Sequence, residues 1–201
     1  MGISWEQLSS FVVVSVTLNL TPGADVMTTM AVGLKHGAKH AFLVAVGVSM
    51  GILAHTLMVC FGLGLLLARY PTAQTVIQYC GVLYLAHLGF QTFKSRSSPE
   101  EGGPILGPLQ CVRIGFVTNL LNPKVALFIL FFLQAFISPD GGEVAQRLIL
   151  GSTFALTSLV VTGAYGLFAT AMSGPLRRHG HLLNRLAAIV FFGLAAWLAS
   201  T

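Results

Sequence analysis

Charge is scarce in this chain. Asp, Glu, Lys and Arg together make up 8% of its 201 residues, about a third of the ~25% usual in soluble domains, and that shortage excludes an ordinary water-facing surface. Long polar stretches are scarce as well. The one example is "KSRSSPEEGGPILGPLQCV", residues 94–112, whose Ser, Pro, Gly and charge read as a flexible link. Three cysteines, Cys60, Cys80 and Cys111, are too few for a disulfide framework. Cys60 and Cys80 fall inside apolar runs without a CxxC pattern, so packing accounts for them better than redox work. No GxxxxGK[ST] loop, HExxH or GxSxG occurs, which leaves ATP hydrolysis without a site here and makes an ion gradient the expected energy source, with no cofactor. Ahead of the first apolar run there is Glu6 but no Lys or Arg, and no small-residue cleavage site ends that run, so it is read as a retained helix and not a signal peptide.

What the chain does have is apolar length. Hydrophobic residues make up 55%, gathered in six stretches near 8–33, 40–68, 74–93, 115–137, 147–172 and 182–200, each about long enough to cross a bilayer as a helix. Continuous runs of this kind exclude a transmembrane barrel, whose strands would alternate. The expectation is an all-α integral membrane protein with six transmembrane helices in a lipid bilayer. The net charge of +5 does not point to nucleic acid, because the basic residues sit in short clusters between the apolar runs. Lys35 and Lys39, then Lys94, Arg96 and Arg113, then Arg177, Arg178 and Arg185 mark three loops as cytoplasmic by the positive-inside bias. Both termini are then expected outside.

The link at 94–112 divides the chain into residues 1–93 and residues 113–201, three helices each. An odd number of spans per half turns the second half upside down relative to the first, the inverted-repeat plan common among secondary transporters. Each half opens on a helix with a similar interruption: "NLTPGAD" at 19–25 and "NLLNPK" at 119–124. Proline removes a backbone donor and clashes with the preceding turn, so the first and fourth helices are expected to break at Pro22 and Pro123. Thr21 and Asn122 are suitable N-caps for the new segments, and Gly23 adds freedom beside the first break. In lipid the orphaned backbone groups need burial in protein or a wet cavity. Because the halves are inverted, the positive ends of the two new segments should meet near the bilayer centre.

Asp25 and Lys124 belong to these breaks. Asp25 precedes Lys35 by ten residues and Lys124 follows Arg113 by eleven, so at ~1.5 Å per residue both lie about 15 Å from the cytoplasmic face. A charge at that depth costs at least ~3 kcal/mol, and the two are expected to face the interior and each other. Helix N-termini and Lys124 suit a carboxylate, while Asp25 and freed carbonyls suit an ammonium group or a proton. An amino acid carries both groups. The competing explanations are a membrane scaffold or transporter subunit in which Asp25 and Lys124 form a structural ion pair, and an intramembrane enzyme using Asp25 with His55, which lacks a nucleophile or metal set. His55 is a candidate proton relay or a packed neutral histidine, and His87 reads as interfacial. Gly47 and Gly51 form a GxxxG pair suited to close helix packing. Thr153, Thr157, Ser158, Thr162 and Tyr165 line up hydroxyls that either face a pore or bond back to their own helix.

On these residues the chain resembles the lysine exporter superfamily (LysE/RhtB), in particular its homoserine and threonine efflux branch. The similarity runs nearly end to end and is most specific in "NLTPGADVMTTMAVGLKHGAKHAFLVAVGVSMGILAH" (19–55), "YCGVLYLAHLGFQTFK" (79–94) and "RIGFVTNLLNPKVALFILFFLQAFI" (113–137). The resemblance implies a six-helix amino-acid exporter, a proton antiporter of a bacterial inner membrane and not an enzyme, with signature positions at Pro22, Gly23, Asp25, Asn119, Asn122, Pro123 and Lys124. Two departures stand out. Thr21 replaces the family's Asn before the first Pro, and Ile52 follows Gly51 where the family often has Asp, which removes one candidate proton carrier and leaves Asp25 and His55. A neutral amino acid of small or medium size is the favoured substrate, since Asp25 is the sole buried acid. The sequence leaves room for a homo-oligomer.

Overall fold

The computed structural model describes residues 3–62 apart from Pro22, residues 106–173 apart from 139–141, and scattered residues between 72 and 93 and between 185 and 196. The apolar stretches expected at 74–93 and 182–200 fall largely outside the described residues, as do Cys80 and residues 94–105 of the expected link.

Ser4 starts the first helix with a capping box. Its hydroxyl accepts from Gln7 N at 3.2 Å and its own N–H donates to Gln7 Oε1 at 2.9 Å, so two otherwise orphaned donors are satisfied reciprocally. Helix α1 then runs Trp5–Leu20 and α2 runs Ala24–His36. Gly37, at φ 88°, both ends α2 and opens α3, Ala38–Cys60. Only glycine adopts that backbone readily, and it lets the chain reverse on a single residue. In the second half α4 covers Pro108–Leu120. Residues 108–112, expected within the flexible link, are therefore helical, because Pro108 suits a first helical position where its missing N–H goes unused. A short α5, Pro123–Leu127, continues through a π turn, Phe128–Phe132, and a 3-10 turn, Leu133–Phe136. Helix α6 spans Glu143–Ala171.

Helices α3 and α6, of 23 and 29 residues, exceed the ~30 Å of a bilayer core at ~1.5 Å per residue. The α1–α2 pair bends by 57° at its break and the second pair, Pro108–Leu120 with Lys124–Phe136, by 59°. Counting each bent pair as one crossing gives up to four spans among the described residues. No strand occurs among them, and apolar side chains such as Leu156 and Val160 of α6 stay 62% and 64% exposed, as lipid-facing residues do. The chain is an all-α membrane protein.

Two contacts fix how the halves meet. At Gly47 an added Cβ would run into the Val112 carbonyl of α4, and at Gly115 it would run into the Val44 carbonyl of α3. The two helices thus touch backbone to backbone, as small residues allow in membranes. On the other side Phe11 of α1 stands edge-on to Phe136 at 5.2 Å, and Phe128 packs on Phe154 of α6 at 4.6 Å. Phe11, Phe128 and Phe154 join Ile52, Ile129, Leu133 and Leu150 in one buried apolar cluster, with partly buried Phe136 packed against it. Beside it, Gln7 Nε2 donates to Ser138 Oγ at 2.8 Å, while buried Gln146 accepts from Ser138 N at 2.8 Å and donates to its carbonyl at 2.9 Å. The starts of α1 and α6 are pinned there, which brings the two helix breaks face to face.

Candidate functional site

At the first break the chain exhausts its local donors quickly. Thr21 N reaches the carbonyls of Leu18 and Thr17 at 3.2 and 3.3 Å, and Thr21 Oγ1 donates to Thr17 O at 3.1 Å. Thr21, expected to cap the start of α2, instead closes the end of α1. The Thr17 carbonyl one turn back lies at the helix end and accepts the hydroxyl as well as the Thr21 amide. The N-cap of α2 is Gly23, in extended conformation and without a side chain to offer. Pro22 lies outside the described residues.

At the second break the expected cap is the observed one. Asn122 Oδ1 accepts from Lys124 N at 3.1 Å, with Pro123 at the first helical position. The other half of the same amide reaches across the molecule: Asn122 Nδ2 donates to Asp25 Oδ2 at 3.0 Å, and Asn119 Nδ2, from the last turn of α4, donates to that oxygen at 2.9 Å. The start of α5 is thereby tied to the start of α2. Asp25, in the first turn of α2, is buried, and its second oxygen, Oδ1, has no hydrogen-bond partner. Asn119 fits because Gly51 lies beside it, where an added Cβ would come within 2.6 Å of Asn119 Oδ1. His55 is buried, with Nε2 3.3 Å from the Asn119 carbonyl, and so stands behind Asn119.

Lys124 departs from expectation. Its ammonium donates to the carbonyls of Leu18 and Thr21, each at 2.8 Å, and no ion pair joins it to Asp25. Asp25 and Lys124 therefore do not pair directly, and the structural ion pair on which a scaffold role rested is not formed. The physical reason is the break itself: the end of α1 presents carbonyls with acceptor capacity to spare and the negative end of a helix dipole, which an ammonium satisfies well, while two asparagine amides already serve the acid. Tyr165 of α6 adds to the same end, donating to Leu20 O at 3.0 Å.

Asp25, Lys124, Gly23, Thr21 and Asn122 line one cavity with Leu18, Asn19, Val26, Val125, Phe154 and Thr162. Its enclosed space is about 20 Å³, room for little more than a water and far below the usual size of a small-molecule site. Of the α6 hydroxyls, Thr162 reaches the cavity wall, Thr157 accepts from Asn19 Nδ2 at 3.2 Å while donating back to Phe154 O at 3.0 Å, and Thr153 bonds back to Ile149 O. His87 is exposed and lies apart from the cavity lining. Leu18 and Phe154 were not legible as site residues, the first because it contributes a carbonyl and the second because it reads as ordinary core.

The LysE type translocator family profile matches residues 16–201. The chain belongs to that family. The family match takes in both helix breaks. Among similar proteins of this kind, the homoserine/homoserine lactone efflux protein of Salmonella typhimurium is 28% identical over 98% of each chain. The leucine efflux protein of Enterobacter sp. is 29% identical over 95% of this chain and 94% of its own. A membrane protein of Vibrio cholerae is 27% identical over 95% of each. No solved structure matches this LysE type translocator.

Proposed function

We propose that the protein is a secondary active exporter of amino acids, favouring neutral ones of small or medium size, that works by proton antiport with alternating access between two inverted three-helix repeats. The reading places it in a bacterial inner membrane with both termini outside, following the positive-inside bias. Its relatives' names supply the amino-acid class. The observation that carries it is the buried Asp25 with a free carboxylate oxygen, sharing one cavity with Lys124 where two helix starts meet. A substrate ammonium takes Asp25 Oδ1. Its carboxylate takes Lys124 and the amides opening α2, which no side chain caps. Opening outward lets a proton reach Asp25, which weakens its hold on the ammonium and favours release.

Counterflow of a labelled neutral amino acid in proteoliposomes tests this. Flux that depends on a proton gradient is the expected result. Substrate turnover without flux would turn the reading to an enzyme, and neither would leave a scaffold. Asp25→Asn and Lys124→Gln are expected to insert normally and to carry no flux, and full transport by both removes the site assignment.

A further inference from the structure

Lys124 sits in an unusual seat for a group that is to receive a carboxylate. Its ammonium is already engaged, with the carbonyls of Leu18 and Thr21 at 2.8 Å each, at the negative end of α1. A primary ammonium on backbone carbonyls beside a buried carboxylate is the arrangement that the amino group of a free amino acid also requires. The Lys124 stem runs past Gly23, where an added Cβ would lie 3.8 Å from Cδ and 3.9 Å from Nζ, and so crosses the cavity. In this position it leaves enclosed room for little more than water.

We infer that Lys124 is a built-in plug occupying the ammonium subsite, and that an amino acid binds by exchanging its own ammonium for that of Lys124 on the Leu18 and Thr21 carbonyls. The inference rests on the export reading above and refines it. The incoming ammonium takes the two vacated carbonyls next to Asp25, whose Oδ1 is buried without a partner; Leu18, Thr21 and Asp25 all line the cavity. The released Lys124 ammonium gives up both carbonyls, and the substrate carboxylate satisfies it. One cation replaces another at the helix end, so the carbonyls are capped before and after. The exchange also gives selectivity. A ligand with an amine but no carboxylate displaces Lys124 and leaves it stranded, and a ligand with a carboxylate but no amine gives the lysine no reason to leave.

The test uses purified full-length protein in detergent and three probes: alanine, alanine amide, which lacks the carboxylate, and N-acetylalanine, which lacks the amine. Wild type is expected to bind alanine at least tenfold more tightly than either partial probe. In Lys124→Met the plug is gone, so alanine amide is expected to bind at least tenfold more tightly than it does to wild type while alanine loses affinity. If Lys124 only clamps carboxylates, alanine amide binds both proteins equally, and that result overturns the inference. Should Lys124→Met fail to fold, wild type decides the matter by acylation with an amine-reactive ester, read by peptide mass spectrometry against exposed Lys39 in the same sample. Alanine amide must raise the labelling of Lys124, and an unchanged ratio overturns the exchange. Absence of binding by alanine and every other neutral amino acid, with no counterflow in wild type, counts against the export reading itself.

Discussion

The two helix breaks look alike in sequence and are finished differently. The second is largely self-contained. Asn122 caps α5, and the Leu121 and Asn122 amides close onto the Val117 and Asn119 carbonyls, with His55 of α3 the one side chain from the other half near its backbone, at Asn119 O. The first is open at both ends: α2 starts on Gly23 without a side-chain cap, and the end of α1 borrows donors from Lys124 and Tyr165 in the other half of the chain. A break that satisfies its own backbone is a fixed part, whereas one completed by a distant side chain can be opened by moving that side chain. In the proposed exporter the end of α1 is thus the part that Lys124 and Tyr165 hold closed.

Removing the charges strikes the open break hardest, and Asp25→Asn or Lys124→Gln should reduce efflux to background, as read by counterflow. Asn122→Ala comes next. It removes an N-cap, at ~1 kcal/mol, and one donor to the Asp25 carboxylate, at ~1–3 kcal/mol, so the self-contained break should lose both thermal stability and transport; unchanged melting would show that the cap is dispensable. Gly51→Ala presses on Asn119 Oδ1 and should cost ~1–3 kcal/mol by overpacking while displacing Asn119 from Asp25, a change visible as lower melting with weaker substrate binding. Tyr165→Phe frees one carbonyl at the open break and should cost only ~0.5–1.5 kcal/mol. A loss of flux matching that of Lys124→Gln would mean that Tyr165 and not Lys124 governs the end of α1. Glu143→Gln breaks an exposed pair far from both breaks and should change melting by under ~1 kcal/mol.

Much of this architecture is legible in residues whose backbone consequences are local. Pro123 and Asn122 announce the second break and its cap, Gly47 announces the close crossing of α3, and the depth of Asp25 and Lys124 follows from counting along helices. What stays hidden depends on reach between segments far apart in the chain. Nothing at positions 119 and 122 says that both amides turn toward the acid at position 25, about ninety-five residues away. Charge alone points Lys124 at Asp25, but its long stem carries the ammonium on to carbonyls that carry no signature in the sequence. Thr21 is a fair N-cap by type, yet a carbonyl one turn behind it competes for the same hydroxyl and wins. The six-span count and the inverted symmetry rest on apolar length and loop charge, and two of the six stretches fall largely outside the described residues.

The backbone crossing of α3 and α4 carries a mechanical consequence. With Gly47 and Gly115 pressed each against the other helix's carbonyl, the pair cannot slide by a residue without driving a valine side chain into a peptide group. Tilting about the contact moves the two backbones past one another far less than sliding does. Such a joint behaves as an axle: displacement is least at the pivot and grows toward the helix ends. Gly51 and Asn119 lie one turn from it, so any rocking of the molecule would sweep its outer rims widely while the carboxylate of Asp25 and its two amides travel hardly at all.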